Sequence, residues 1–124
     1  MKKGLHVDNQ YERWEGHLSR RFIKFGFSLI KTHNADDPHV ALGIIQNHPE
    51  ADIILLDGSF KDGNCMAVLH RLSENDIHKT ICFSGDPKRW EPMLLPCGIK
   101  HFPRKHKDEW LEKLFSCMGG TCNC

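Results

Sequence analysis

The stretch ADIILLDGSFKDGN, residues 51 to 64, sets four consecutive large aliphatics, Ile53 to Leu56, directly before an aspartate and follows it with Gly, Ser, Lys, Asp and Gly. An apolar run this short, with turn residues behind it, reads as a strand buried on both faces, the kind found inside a parallel sheet. Asp57 then stands at that strand's carboxyl end, where open α/β sheets hold their ligands.

The rest of the chain repeats the alternation. KGLHVD reads as a first strand. From Asn9, a good N-cap, apolar residues recur at Tyr11, Trp14, Leu18, Phe22 and Phe25, the stripe of an amphipathic helix ended by Gly26. FSLIKT is a second strand, followed by a helix that Asp37 caps and Pro38 opens. DIILLD leads into the helix CMAVLHRL, TICFSG into a segment opened by Asp86 and Pro87, and IKHF into DEWLEKLFSCM. Pro92 and Pro96 predict a short or broken fourth helix, because an interior proline removes a hydrogen bond and clashes with the turn before it. Pro103 suits a fifth strand at the sheet's edge. Five strands alternating with five helices imply βαβ units: an α/β fold with a mostly parallel sheet and helices on both faces.

The chain of 124 residues is the size of one domain. Residues 1–118 form that domain, and 119–124 are expected to be a flexible, cysteine-containing tail. With 17 basic against 16 acidic residues, no global field draws the molecule to nucleic acid or an anionic membrane. No signal peptide and no apolar window of roughly 20 residues is present, which points to the cytoplasm without membrane insertion. Cys65, Cys82 and Cys97 fall in or beside predicted core elements and are expected as reduced thiols. Cys117, Cys122 and Cys124 lack a fourth ligand and the usual C-x-x-C spacing, so a frayed terminus is the expectation there. Nine histidines include no H-x-x-x-H pair, and His101 and His106 read as incidental.

Polar residues gather at the predicted carboxyl ends of the strands: Asp8 and Asn9 after the first, Asp57 after the third, Ser84 after the fourth and Lys105 after the fifth. Taken singly, Asp8 and Asn9 read as helix caps, Asp57 as a turn cap and Phe102 as a core aromatic. As a set, they should converge on one rim. Paired carboxylates with amide and carbonyl oxygens suit Mg²⁺, while a lysine ammonium and a serine hydroxyl are natural partners of a phosphoryl group.

With HVDN, IILLDGSFKDGN, ICFSG and GIKHFPRK in this order, the chain resembles the receiver domain of response regulators from Lys2 to about Met118. The resemblance implies a flavodoxin-like (βα)5 three-layer sandwich with a five-stranded parallel sheet in the order 2-1-3-4-5. It also implies a phosphoacceptor signalling domain, not an enzyme acting on a separate substrate. Asp57 would accept a phosphoryl group from a histidine kinase or phosphotransfer protein. Asp8, Asn9, Asp57 and the backbone carbonyl of Ser59 would hold Mg²⁺, with Ser84 and Lys105 on the phosphoryl group. Ser84 and Phe102 would carry the switch to a downstream partner in trans.

The match has gaps. Asn9 stands where the family usually has an acid, His106 where a proline follows the lysine, Lys61 where proline is common and Cys65 where glycine is common. These departures support an alternative, a receiver-like interaction module with weakened or lost phosphorylation. A flavodoxin-type electron carrier shares the fold, but DNQYERWEG is too bulky and acidic for its phosphate-binding loop.

Overall fold

The structure is a computed structural model and describes residues 1–104. The expected fifth helix, Lys105, His106, Trp110 and the three tail cysteines lie outside the described residues.

The elements are β1 (Lys2–Val7), α1 (Tyr11–Lys24), β2 (Phe27–Leu29), α2 (Pro38–Gln46), β3 (Ile53–Leu56), α3 (Cys65–Leu69), α4 (Glu74–His78), β4 (Thr80–Cys82) and α5 (Pro87–Leu94). A 3₁₀ turn over Leu95–Cys97 follows α5. The sheet runs β2-β1-β3-β4, and every neighbouring pair is parallel. Beyond β4, the His101 carbonyl accepts from the Cys82 amide at 3.2 Å, and Ser84 pairs with Arg104 in a parallel bridge. Residues 101–104 thus run along the outer edge of β4, where the sequence places the fifth strand.

The alternation of side chains along β3 explains its aliphatic run. Ile54 and Leu56 enter one core cluster with Leu5, Val7, Val68 and Trp90, whereas Ile53 and Leu55 enter another with Leu18, Phe22, Ile81 and Phe83. Both faces of the strand are covered, so every position must be apolar. The result is a three-layer α/β fold, with α1 on one face and α2, α3 and α5 on the other.

Several local expectations are corrected. Asn9 does not cap α1. The cap position is Gln10, without a side-chain bond, and its amide donates to Asp8 Oδ1 at 2.8 Å. The Glu12 amide that a cap at Asn9 would serve donates instead to Asn34 Oδ1 at 2.8 Å, and the helix starts one residue later. The second strand stops at Leu29, short of the predicted 27–32. Its continuation is diverted by the buried Tyr11 hydroxyl, which donates to the Ile30 carbonyl at 3.2 Å and accepts from the Thr32 amide at 3.1 Å. The helix predicted over 65–72 ends early, at Leu69, and a further short helix that was not predicted follows it: Ser73 caps α4 by accepting from the Asp76 amide at 3.1 Å.

Other signals hold. Asp37 caps α2 by accepting from the Val40 amide at 2.9 Å, with Pro38 in the first turn. Gly26, with φ 81°, ends α1. The proline-bearing fourth helix is short, eight residues with Pro92 inside, before it tightens into the 3₁₀ turn.

Cys65, Cys82 and Cys97 are free thiols. Burial chiefly, with a smaller push from the Asp57 charge, raises Cys65 to about 12, and burial raises Cys82 to about 12 as well. Both therefore stay protonated at neutral pH, whereas the reactive form is the thiolate. Peptide-resolved mass spectrometry after brief alkylation of the folded protein is expected to find half-buried Cys97 modified well ahead of Cys65 and Cys82. The pH dependence has a fixed sign. An unfolded chain releases these protons near the ordinary value of 9.0, the folded chain near 12, so stability is full below the first value and falls as pH rises through the second. Urea midpoints measured from neutral to strongly alkaline pH check this decline.

Candidate functional site

β1 and β3 are neighbours in register, with Val7 opposite Leu56. The next residues are Asp8 and Asp57, and the Asp57 amide donates to the Val7 carbonyl at 3.0 Å. Two acids far apart along the chain therefore emerge side by side at the carboxyl edge of the sheet. Asp8 is fully buried and Asp57 is 8 % exposed. A carboxylate held this far from water needs donors or a counter-charge.

Asp8 has donors on both oxygens. The Gln10 amide lies 2.8 Å from Oδ1, and His6 Nε2 lies 3.0 Å from Oδ2. The loop after β2 adds a third tie, the Ala35 amide to the Asp8 carbonyl at 2.9 Å. Asn9, in the turn before α1, is half-buried.

Beyond Asp57 the chain makes a tight loop. Cys65 N–H donates to the Gly58 carbonyl at 3.0 Å and Phe60 N–H to the Gly63 carbonyl at 3.1 Å, closing the bridge between Ser59 and Asn64. Ser59 is exposed, and its own carbonyl takes no part in that pair of bonds. Asn64 caps α3 by accepting from the Met66 amide at 2.9 Å.

Ser84 follows β4 and is 5 % exposed, its Oγ accepting from the Asp86 amide at 3.1 Å. Since Leu56 pairs with Cys82 and the Phe83 amide donates to the Leu56 carbonyl at 2.9 Å, Ser84 lies beside the strand end that carries Asp57. Phe102 is half-buried and packs on the core cluster that contains Cys82 and Trp90. Asp8, Asn9, Asp57, Ser59 and Ser84 thus all lie at or just beyond the carboxyl edge of three neighbouring strands. Lys105 lies outside the described residues. His101 is placed elsewhere: it lines a small cleft with His78, Thr80, Gly98 and Lys100, at the end of β4 remote from Asp57. Burial, with help from the Lys100 charge, lowers its pKa.

One residue and one contact of this region escaped the sequence reading. His6 is fully buried between the apolar Leu5 and Val7, and its spacing of two from Asp8, the same face of a strand, was the available signal. Trp90 of α5 is 2 % exposed and lies against Gly58, so close that a β-carbon on that glycine would stand 2.3 Å from the indole Nε1. A contact between residues 32 positions apart has no local signature.

Among the described residues, no cluster of three or more His, Cys, Asp or Glu is arranged to hold a metal. The donor set at this edge consists of two carboxylates, an amide oxygen and a loop carbonyl. That fits a hard cation that keeps several waters and is poor for a soft one. The bonds from Gln10 and His6 hold the Asp8 carboxylate at this edge, and a carboxylate oxygen has two lone pairs, so accepting one bond does not by itself prevent it from ligating such an ion.

Fold and edge together define a doubly wound α/β protein with an acidic pocket at its switch point. Its structural relatives are receivers. A two-component response regulator from Clostridium difficile superposes with a TM-score of 0.76 at 16% identity over 100% of both chains. A response regulator receiver protein from Burkholderia phymatum gives 0.74 at 17% identity over 98% of both. The receiver domain of a sensor histidine kinase from Pseudomonas aeruginosa, which holds a magnesium ion coordinated in its active-site cleft, gives 0.72 at 15% identity, covering 96% of this chain and 98% of its own. No protein-family model and no curated protein matches the chain. The chain has the response-regulator receiver fold. Among the described residues, no helix is long and apolar enough to cross a membrane.

Proposed function

We propose that the chain is a cytoplasmic phosphoacceptor receiver and that Asp57 takes the phosphoryl group. The observation that carries this reading is the placement of buried Asp8 and Asp57 on adjacent strand ends, with Ser84 at the next. An Asp57 carboxylate oxygen attacks phosphorus; the bond from phosphorus to the imidazole nitrogen of a donor phosphohistidine breaks, and the imidazole keeps the electron pair. A histidine kinase or phosphotransfer protein supplies that donor. Asp8, Asn9, Asp57 and the Ser59 carbonyl would hold Mg²⁺, which when bound offsets the negative charge that gathers as a phosphoryl group meets a carboxylate. Ser84, freed from the Asp86 amide, bonds a phosphoryl oxygen. Lys105 would balance the charge of the phosphoryl group. Movement of Ser84 lets Phe102 and α5 repack, and a partner in trans reads the change. The domain turns over nothing beyond its own phosphorylation and dephosphorylation.

The test is incubation with acetyl phosphate and millimolar Mg²⁺. The expected result is a mass gain of one phosphoryl group, abolished by EDTA, and a matching spectral change with beryllium fluoride. A protein unmoved by either reagent sinks the reading.

Asn9, which brings no charge to a cation, and the short, proline-bearing α5 favour a second reading, an interaction module with weakened or lost phosphorylation. It is distinguished by partner binding that Asp57→Asn leaves unchanged.

A further inference from the structure

We infer that His6 is a positioning residue for the cation pocket, holding the Asp8 carboxylate in its ligating orientation; the inference rests on the receiver reading above. His6 is fully buried near the carboxyl end of β1, where the flanking Leu5 and Val7 belong to the core. Its ring meets Phe83 edge-on at 5.6 Å and Tyr11 at 5.8 Å. An aliphatic or phenyl side chain would fill that space without bringing polar nitrogens into it, and burying polar nitrogens is costly unless they are bonded. One of them is spent on Asp8, at 3.0 Å from Oδ2. An ionised carboxylate has no hydrogen to give, so Nε2–H donates.

The geometry shows what that donation does. Asp8 and His6 share a strand face, and the carboxylate is clamped between Nε2–H on one oxygen and the Gln10 amide on the other. Replacing His6 with a residue that has no donor removes the bond that orients Oδ2. Asn9 brings no charge, so of the residues proposed to hold the cation only Asp8 and Asp57 are anionic. The pocket therefore depends on the orientation of each carboxylate. Groups that orient a metal ligand through hydrogen bonds typically account for about 10- to 100-fold in metal affinity.

The experiment titrates MgCl2 into wild type, His6→Leu and His6→Gln at one fixed pH, read by calorimetry and tryptophan emission, with urea denaturation in parallel. Glutamine sets an amide N–H near the position of Nε2–H, and leucine sets nothing there. His6→Gln is expected to bind within about threefold of wild type, and His6→Leu about tenfold more weakly. His6→Phe, which retains the ring packing, replaces leucine if that variant fails to fold. A residue that merely stabilises the strand would shift the urea midpoint and leave Mg²⁺ affinity alone. Equal affinity in the donor-less variant, or glutamine no better than leucine, overturns the inference and leaves the receiver reading intact. A wild type that binds no Mg²⁺ and gains no phosphoryl group overturns both.

Discussion

Asp57→Asn takes up no phosphoryl group from acetyl phosphate at millimolar Mg²⁺, whereas Asp8→Asn and Ser84→Ala still take one up, more slowly. The difference follows from what each side chain contributes. A carboxamide oxygen is a poor nucleophile and carries no charge to share with an incoming phosphorus, so the acceptor is lost outright. Asp8 and Ser84 stabilise charge around the transfer without forming a bond to phosphorus. Loss of one such preorganised group slows a reaction by about 10²- to 10³-fold. Intact-mass time courses separate a missing product from a delayed one. Hydroxylamine then identifies the linkage, because it cleaves an acyl phosphate to a hydroxamate and free phosphate while leaving a serine ester untouched. Persistent labelling of Asp57→Asn would assign the chemistry to another acceptor, such as the exposed Asp36 or Asp62, whose loops are tied by a bond from the Asp62 amide to the Asp36 carbonyl at 3.0 Å.

What made this edge readable in the sequence was burial. A strand covered on both faces must be apolar throughout, so the run Ile53 to Leu56 announced its environment, and the acid ending it stood out as the exception. β1 gave the same signal in HVDN, and β4 in ICFSG. Their order along the chain, joined by helical segments, left few parallel topologies open, and the observed order 2-1-3-4 is the one expected. Boundaries were less legible because they are decided by competition between donors and acceptors. The Tyr11 hydroxyl captured the groups that would have extended β2, and the Asn34 side chain captured the Glu12 amide that a cap at Asn9 would serve. The helix α4 gave no sequence signal, because Glu74–His78 carries a single apolar residue, Ile77, and so has no periodic stripe behind its cap Ser73. His6 was passed over for a different reason. One polar residue between apolar neighbours barely perturbs a strand's pattern, and only the spacing of two to Asp8 reveals that the strand's face has a polar end.

Gly58→Ala is expected to destabilise the fold by about 1–3 kcal/mol, the usual consequence of overpacking a filled core. The added β-carbon would stand 2.3, 2.6 and 2.7 Å from three atoms of the Trp90 ring. The indole is a rigid plane and cannot yield as the end of a flexible chain would. It is also held from other directions, packed in the cluster with Cys82 and Leu94, with the Arg89 guanidinium 4.7 Å from its centroid. The strain must therefore pass either to α5 or to the strand end that carries Asp57. A double-mutant cycle with Trp90→Leu tests the assignment, since the same alanine should cost much less where the ring is gone, with a coupling of more than about 0.5 kcal/mol. Additive losses in urea denaturation would show that Gly58 is required for its backbone alone. The pair matters beyond stability because Gly58 is bonded directly to Asp57 and Trp90 belongs to the short, proline-bearing helix beside it. A phosphoryl group or cation that shifts the loop by a few tenths of an ångström has to move the indole, and α5 with it, because packed interiors rearrange in steps and do not yield continuously. Tryptophan emission should accordingly follow Mg²⁺ and beryllium fluoride in the wild type and lose that response in Trp90→Leu, in which Trp110 and Trp14, the latter on the opposite face of the sheet against Phe83, supply the remaining emission.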